Sequence, residues 1–130
     1  GVGRFYRRTL GVPTWLEVEA ADTAGPVGTT RCFVPIGNQA LIFREVEREE
    51  DLPAYDGHHI AIYIGNPETG DVAESFTEMY KRCQAAGLIY NNPRFPNFIY
   101  DTLEDALRLG EFRVLDLVDP ESGGAAYRLE

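Results

Sequence analysis

Apolar and polar positions alternate most regularly in Gly57-His58-His59-Ile60-Ala61-Ile62-Tyr63-Ile64. A period of two over a run of this length predicts a strand. Ile60, Ile62 and Ile64 fall on one face with His58, and His59, Ala61 and Tyr63 on the other. The isoleucine face is expected to pack under a helix. The other face, small and partly polar, is expected to line a cavity.

The chain begins inside a helix. Val2, Phe5, Tyr6 and Leu10 follow the spacing of one apolar face, Arg4, Arg7 and Arg8 take the other, and Gly11 is the stop, with Pro13 beyond it. Thr14 to Ala20 predicts a strand, with Trp15, Leu16 and Val18 set against Glu17 and Glu19. Ala21 to Gly28 is a loop by its glycines and proline. Thr29 to Ile36 and Gln39 to Val46 read as a hairpin turned at Gly37-Asn38. The charge run Glu45 to Asp51 reads as a solvated connector.

Beyond Ile64, Gly65 to Asp71 is a loop, and Ser75 with Glu78 has the spacing of a capping box. Phe76, Met79, Tyr80 and Cys83 form the stripe of the helix that follows, which Gly87 ends. In the aromatic stretch after it, Tyr90, Phe95, Phe98 and Tyr100 with Asn91-Asn92 either close as a lid over a ligand or pack as a loop. Phe98 to Tyr100 predicts a short strand. Thr102 to Leu109 predicts a helix capped by Thr102 and Asp105 and stopped by Gly110. Glu111 to Val118 is a strand, Asp119 to Gly124 a turn, and Ala125 to Glu130 a last strand.

An internal repeat emerges from this order. Phe5-Tyr6-Arg7-Arg8 matches Met79-Tyr80-Lys81-Arg82, each on a helix ending at glycine, and three strands follow each helix. Two βαβββ modules are expected, over 1–50 and 51–130, together one domain. The first module's opening strand is expected to lie outside this sequence.

Composition narrows the partners. A chain of 130 residues fits one domain or two small modules sharing a core. A net charge of -9 argues against nucleic acid and against an anionic membrane surface. No apolar run approaches the ~20 residues that span a bilayer, and no secretory signal is expected at the N-terminus. Cys32 and Cys83 lie far apart in apolar contexts, which reads as two reduced, buried thiols in a cytoplasmic protein.

The pattern His59-Ile60-Ala61-Ile62-Tyr63-Ile64, a loop, the helix bearing Phe76-Thr77-Glu78-Met79-Tyr80, and then Phe112-Arg113-Val114-Leu115-Asp116-Leu117-Val118-Asp119-Pro120 turning into a last strand resembles the vicinal oxygen chelate superfamily. That superfamily includes glyoxalase I, extradiol dioxygenases and bleomycin-resistance proteins. The resemblance covers nearly the whole chain and rests on the order of elements; the second half looks most like uncharacterised glyoxalase-like proteins. It implies an α+β fold in which paired modules curl into an incomplete barrel around a cavity. It also implies one divalent metal (zinc, nickel, iron or manganese) held by the first and last strands of each module.

His59 falls where that family places a first-strand ligand, the plain alternative being a histidine bonded to backbone. On the last strand Arg128 is the nearer match to the family's acid, and Glu130 lies on the same face as a candidate metal ligand and catalytic carboxylate, or as a solvated one. In the first module Ile42 sits near the expected acid, with Glu45 and Glu47 later. Tyr63 and Tyr127 either line the cavity or pack as strand aromatics, and Arg128 either meets an anionic ligand or makes a surface ion pair.

Two functions follow from the resemblance. One is a metal-dependent lyase or dioxygenase acting on a small molecule with adjacent oxygens. The other is a metal-free module that sequesters a small molecule, for which the overall negative charge suggests a cationic ligand. Apart from these two, the chain could be a structural or regulatory domain that makes no use of the cavity. A homodimer is expected, because a missing strand leaves an open sheet edge.

Overall fold

The structure, a computed structural model, describes residues 1–18, 30–46, 48, 50, 54, 59–65 and 71–128, with the backbone alone at 125–128. It is a small α+β fold. The first helix, α1 (Val2–Phe5), runs on into a π-helical turn over Tyr6–Leu10. Three antiparallel strands follow, β1 (Trp15–Val18), β2 (Thr30–Ile36) and β3 (Gln39–Arg44), side by side in that order. Then come α2 (Val72–Ala85), α3 (Leu103–Leu109) and a hairpin of β4 (Asp116–Val118) with β5 (Ala125–Arg128).

The first helix forms for the reason its pattern gives. Phe5 and Tyr6 are buried and their rings meet edge to face, with centroids 5.5 Å apart. Gly11 ends the helix at φ 73, where a side chain would be strained, and a Cβ there would meet Arg82 Nη1 at 3.1 Å. Phe5 and Tyr6 share a core with Cys32 and Val34 of β2 and Leu117 of β4, so the two halves of the chain close over common side chains. Each such ring or branched side chain, fully buried, contributes about 1.5–3 kcal/mol.

Arg4 and Arg8, on the polar side of the first helix, reach the turn between β4 and β5. Arg4 Nε donates to Asp119 Oδ1 at 2.8 Å and its Nη2 to Oδ2, while Arg8 Nη2 pairs with Glu121 at 2.9 Å. Asp119 is buried, and the Arg4 guanidinium, followed by the Glu121 backbone N–H, holds its carboxyl well below the usual carboxylate range.

A second core gathers Phe76 and Tyr80 of α2 with Ala106 of α3, and Ile64, Ile89, Leu103 and Phe112 pack against it. The Phe112 ring stands edge-on to Phe76 and to Tyr80, at 5.2 and 5.5 Å. Cys32 and Cys83 are both buried and unpaired, and burial pushes the Cys83 thiol up to about 11.

Four sequence expectations are corrected. The described part of the expected central strand, residues 59–64, joins no sheet; Ile64 packs on the second core, while Ile60 and Ile62 stand partly exposed. Alternation supplies a face but not the neighbouring strand that must pair with it. Helix α2 starts one turn earlier than the Ser75 box, because Asp71 caps it by accepting from Glu74 N–H at 3.0 Å. Phe98 to Tyr100 forms no strand. Only Asp116–Val118 of the expected strand at 111–118 is laddered, with an isolated antiparallel bridge between Val114 and Ile89. His58, Glu47, Glu130 and the loop 21–28 lie outside the described residues.

Candidate functional site

The sheet has two unlike faces. On β2, Cys32 and Val34 point into the core with Phe5 and Tyr6, and Leu41 and Phe43 of β3 pack on the same side. Side chains alternate along a strand, so Arg31, Phe33, Ala40, Ile42 and Arg44 point the other way. The register sets Trp15 opposite Phe33 and Phe33 opposite Ile42, and in the next row Glu17 opposite Arg31 and Arg31 opposite Arg44. One apolar row and one charged row therefore lie side by side on the face turned away from the helix.

Trp15 belongs with Glu17 on this face, and not with Leu16 and Val18 as apolar content alone suggests, because the period of two outranks side-chain type. The Trp15 and Phe33 rings lie parallel, with centroids 5.4 Å apart and planes within 2°. Trp15 is 46% and Ile42 55% exposed. The charged row is tied to the apolar one: Trp15 Nε1 donates to Glu17 Oε1 at 3.2 Å, Arg31 Nη2 lies 3.6 Å from Glu17 Oε2, and the Arg31 guanidinium sits 5.5 Å from the Phe33 ring centroid. The two rings stack on each other, each covering one face of its partner, and a planar group that stacks on the exposed part of Trp15 gains about 0.5–1.5 kcal/mol beyond its buried area.

No family model, curated protein or solved structure matches the chain.

Among the residues expected to carry function, His59 is exposed on a segment outside the sheet, and Tyr63 is 97% exposed. Tyr127 and Arg128 lie on β5, opposite Leu117 and Asp116; their side chains, and the whole of Glu130, fall outside the described residues. Among the described residues no three of His, Cys, Asp and Glu stand together as metal ligands would. Ile42, expected near an acid position, ends the apolar row on β3.

The aromatic stretch 90–100 is fastened by its polar groups. Asn91 Oδ1 accepts from Tyr100 N–H at 2.8 Å and Asn91 Nδ2 donates to Asp101 at 2.6 Å. The Tyr100 hydroxyl donates to Glu111, and burial first, then that bond, pushes it up to about 12. Tyr80 donates to the Tyr100 carbonyl at 2.6 Å. Arg113 lies over Phe95 and Phe98, 5.1 and 5.9 Å from their centroids. Of the two readings the sequence leaves for this stretch, these contacts fit the packed loop.

The residues that sequence reasoning missed are Trp15 and Phe33. Their signal was available: Trp15 is the chain's one tryptophan, and it sits on a strand whose alternation puts it beside a glutamate.

Proposed function

We propose that this chain is a metal-free small-molecule-binding protein of the vicinal oxygen chelate kind, holding its ligand on the sheet face that carries Trp15, Phe33 and Ile42. The observation that carries the reading is the parallel Trp15–Phe33 ring pair, with Trp15 about half exposed and Phe33 partly buried, on the side of the sheet opposite the first helix. In that superfamily the cavity is enclosed by curved strands.

The order of elements supports the same reading. In the first half a helix with buried Tyr6 ends at Gly11, and three antiparallel strands follow. In the second a helix with buried Tyr80 ends just before Gly87 at φ 68, and three antiparallel segments follow: Ile89 bridges to Val114, and that segment continues into β4, which pairs with β5. The repeat of modules 1–50 and 51–130, and a barrel built from them, belong to this proposal.

The metal-dependent lyase or dioxygenase needs His59 and Glu130 on one ion. Two measurements separate the readings: metal per chain by mass spectrometry, and binding of small aromatic compounds followed by Trp15 emission in the presence of chelator. Binding that survives chelation and His59→Ala but is lost in Trp15→Ala is expected. Stoichiometric metal that disappears in His59→Ala, with binding lost on chelation, would overturn the proposal in favour of the enzyme.

A further inference from the structure

Strand β1 carries apolar side chains that the chain leaves bare. The register sets Leu16 opposite Cys32, so Leu16 and, two residues on, Val18 belong to the face that the first helix covers at β2. The cover stops at β2: Cys32 and Val34 are buried, while Leu16 is 63% and Val18 69% exposed. Trp15 is half exposed on the other face, and all four residues of β1 stand open to solvent. Exposure of this size on both faces belongs to a strand with a free outer edge. Such edges are ordinarily blunted by charge, proline or a bulge, because their open N–H and C=O groups pair with other strands. The one charged side chain of β1, Glu17, is held by the Trp15 indole.

The sequence of this edge is complementary to itself. Two copies paired about a two-fold axis run antiparallel, and the pleat must keep like faces together, so the axis passes through a residue and not between two. An axis through Glu17 would oppose Glu17 to its own copy, and one through Val18 would oppose it to Glu19, like charges in both cases. An axis through Trp15 would bring Pro13, which has no N–H, into the ladder. An axis through Leu16 opposes Leu16 to Leu16, Trp15 to Glu17 and Thr14 to Val18. It puts an apolar contact at the centre, and across it the same tryptophan–glutamate pair that one chain makes with itself at 3.2 Å.

We infer that the partner of this edge is a second copy of the chain: two β1 strands pair antiparallel about an axis through Leu16 and join two three-stranded sheets into one of six. The pairing runs in the plane of the sheet and leaves the Trp15–Phe33 face open, so the inference stands apart from the binding reading. Net charge opposes it, since two chains at -9 repel. Association driven by apolar contact and backbone pairing therefore tightens as salt screens that repulsion, the reverse of one held by ion pairs. The paired stretch, 14–18, is short, which places the contact in the weak, transient class.

Sedimentation velocity of the whole chain from about 10 μM to about 1 mM tests it. A passage from monomer to dimer within that range is expected, at concentrations about threefold or more lower in about 0.5 M salt than in low salt. Leu16→Lys and Leu16→Glu each oppose like charges on the axis and should each weaken the dimer about tenfold or more. Mixed in equal amounts they oppose Lys to Glu, and the mixture should associate at least about threefold tighter than either alone. Dilute melts of both variants should fall within about 2 °C of the parent, because Leu16 is exposed in the single chain. A larger fall would show Leu16 covered within the chain and overturn the open edge. A parent that stays monomeric throughout would overturn the inference, as would a dimer that both variants leave intact. A mixture no tighter than its components would overturn the axis through Leu16. Growth beyond the dimer would mean that β1 pairs head to tail with β3 of the next copy, and would overturn the two-fold arrangement.

Discussion

Tyr80→Phe removes one oxygen from the centre of the second core. Tyr80 is fully buried, and its hydroxyl donates to the carbonyl of Tyr100 at 2.6 Å while accepting from Gln84 Nε2 at 3.3 Å. Tyr100 lies in neither helix nor strand, so its backbone is satisfied by side chains: Asn91 Oδ1 accepts from its N–H and the Tyr80 hydroxyl donates to its carbonyl. Deleting the hydroxyl leaves that carbonyl without its donor in a buried setting, which costs about 1–3 kcal/mol, while the aromatic packing against Phe112 is kept. In a chain of this length 1 kcal/mol moves Tm by roughly 4 °C. A fall of about 4–12 °C is therefore expected in thermal melts followed by circular dichroism, with an unchanged m-value in urea showing that the fold is intact. Asn91→Ala should cost a comparable amount, since it frees the N–H of the same residue. A Tyr80→Phe variant within about 0.3 kcal/mol of the parent would refute the reasoning: the Tyr100 carbonyl would then find water, and the loop would not be fastened as described.

Gly11→Ala should lower stability by about 1–2 kcal/mol in urea titrations, because φ 73 disfavours any Cβ and the Arg82 guanidinium stands in its way; a neutral result would mean the helix end relaxes freely. Asp119 has its pKa lowered by Arg4, so the stability it contributes is present above its unfolded pKa of about 3.9 and lost as pH falls below it. Acid melts should show this loss in the parent, and Asp119→Asn, less stable near neutrality, should show a shallower acid dependence. Tyr6 and Tyr100 are both pushed up to about 12, so stability is complete below the unfolded pKa of about 10 and falls as pH rises from there toward 12. Ultraviolet titration should accordingly find them ionising late, together with unfolding. Cys83, buried and raised to about 11, should resist thiol reagents in the native protein and react on denaturation, and fast native labelling of it would contradict its burial.

Elements whose signals are local could be read from the sequence. Thr102, Asp105 and Gly110 delimit α3 as expected, with Thr102 accepting from Asp105 N–H at 3.1 Å and Gly110 at φ 71. Gly37-Asn38 turns the β2–β3 hairpin in the expected register, Ile36 opposite Gln39. What depends on a distant partner could not be read. Ile60, Ile62 and Ile64 alternate as a strand should, yet no neighbour pairs with them among the described residues. Phe98 to Tyr100 has strand-forming residues, but Asn91 and Tyr80 satisfy its backbone first. The candidate site was half legible. Trp15 was placed on a strand but assigned to the wrong side, and the parallel pairing with Phe33 needs the register between two strands that the sequence alone does not set. His59, singled out by family position, lies exposed, where local pattern offered nothing to test it.

Proton–nitrogen correlation NMR of the labelled protein, titrated in turn with para-nitrobenzyl alcohol, para-nitrobenzoate and para-nitrobenzylammonium in the presence of chelator, addresses the binding face most directly. The single Trp15 indole N–H gives one isolated signal. Saturable shifts of that signal together with the amides of Phe33 and Ile42, and not those of Phe95 or Phe98, are expected. Shifts centred on the segment 59–65, or none at any ligand concentration, would contradict a binding site on this sheet face.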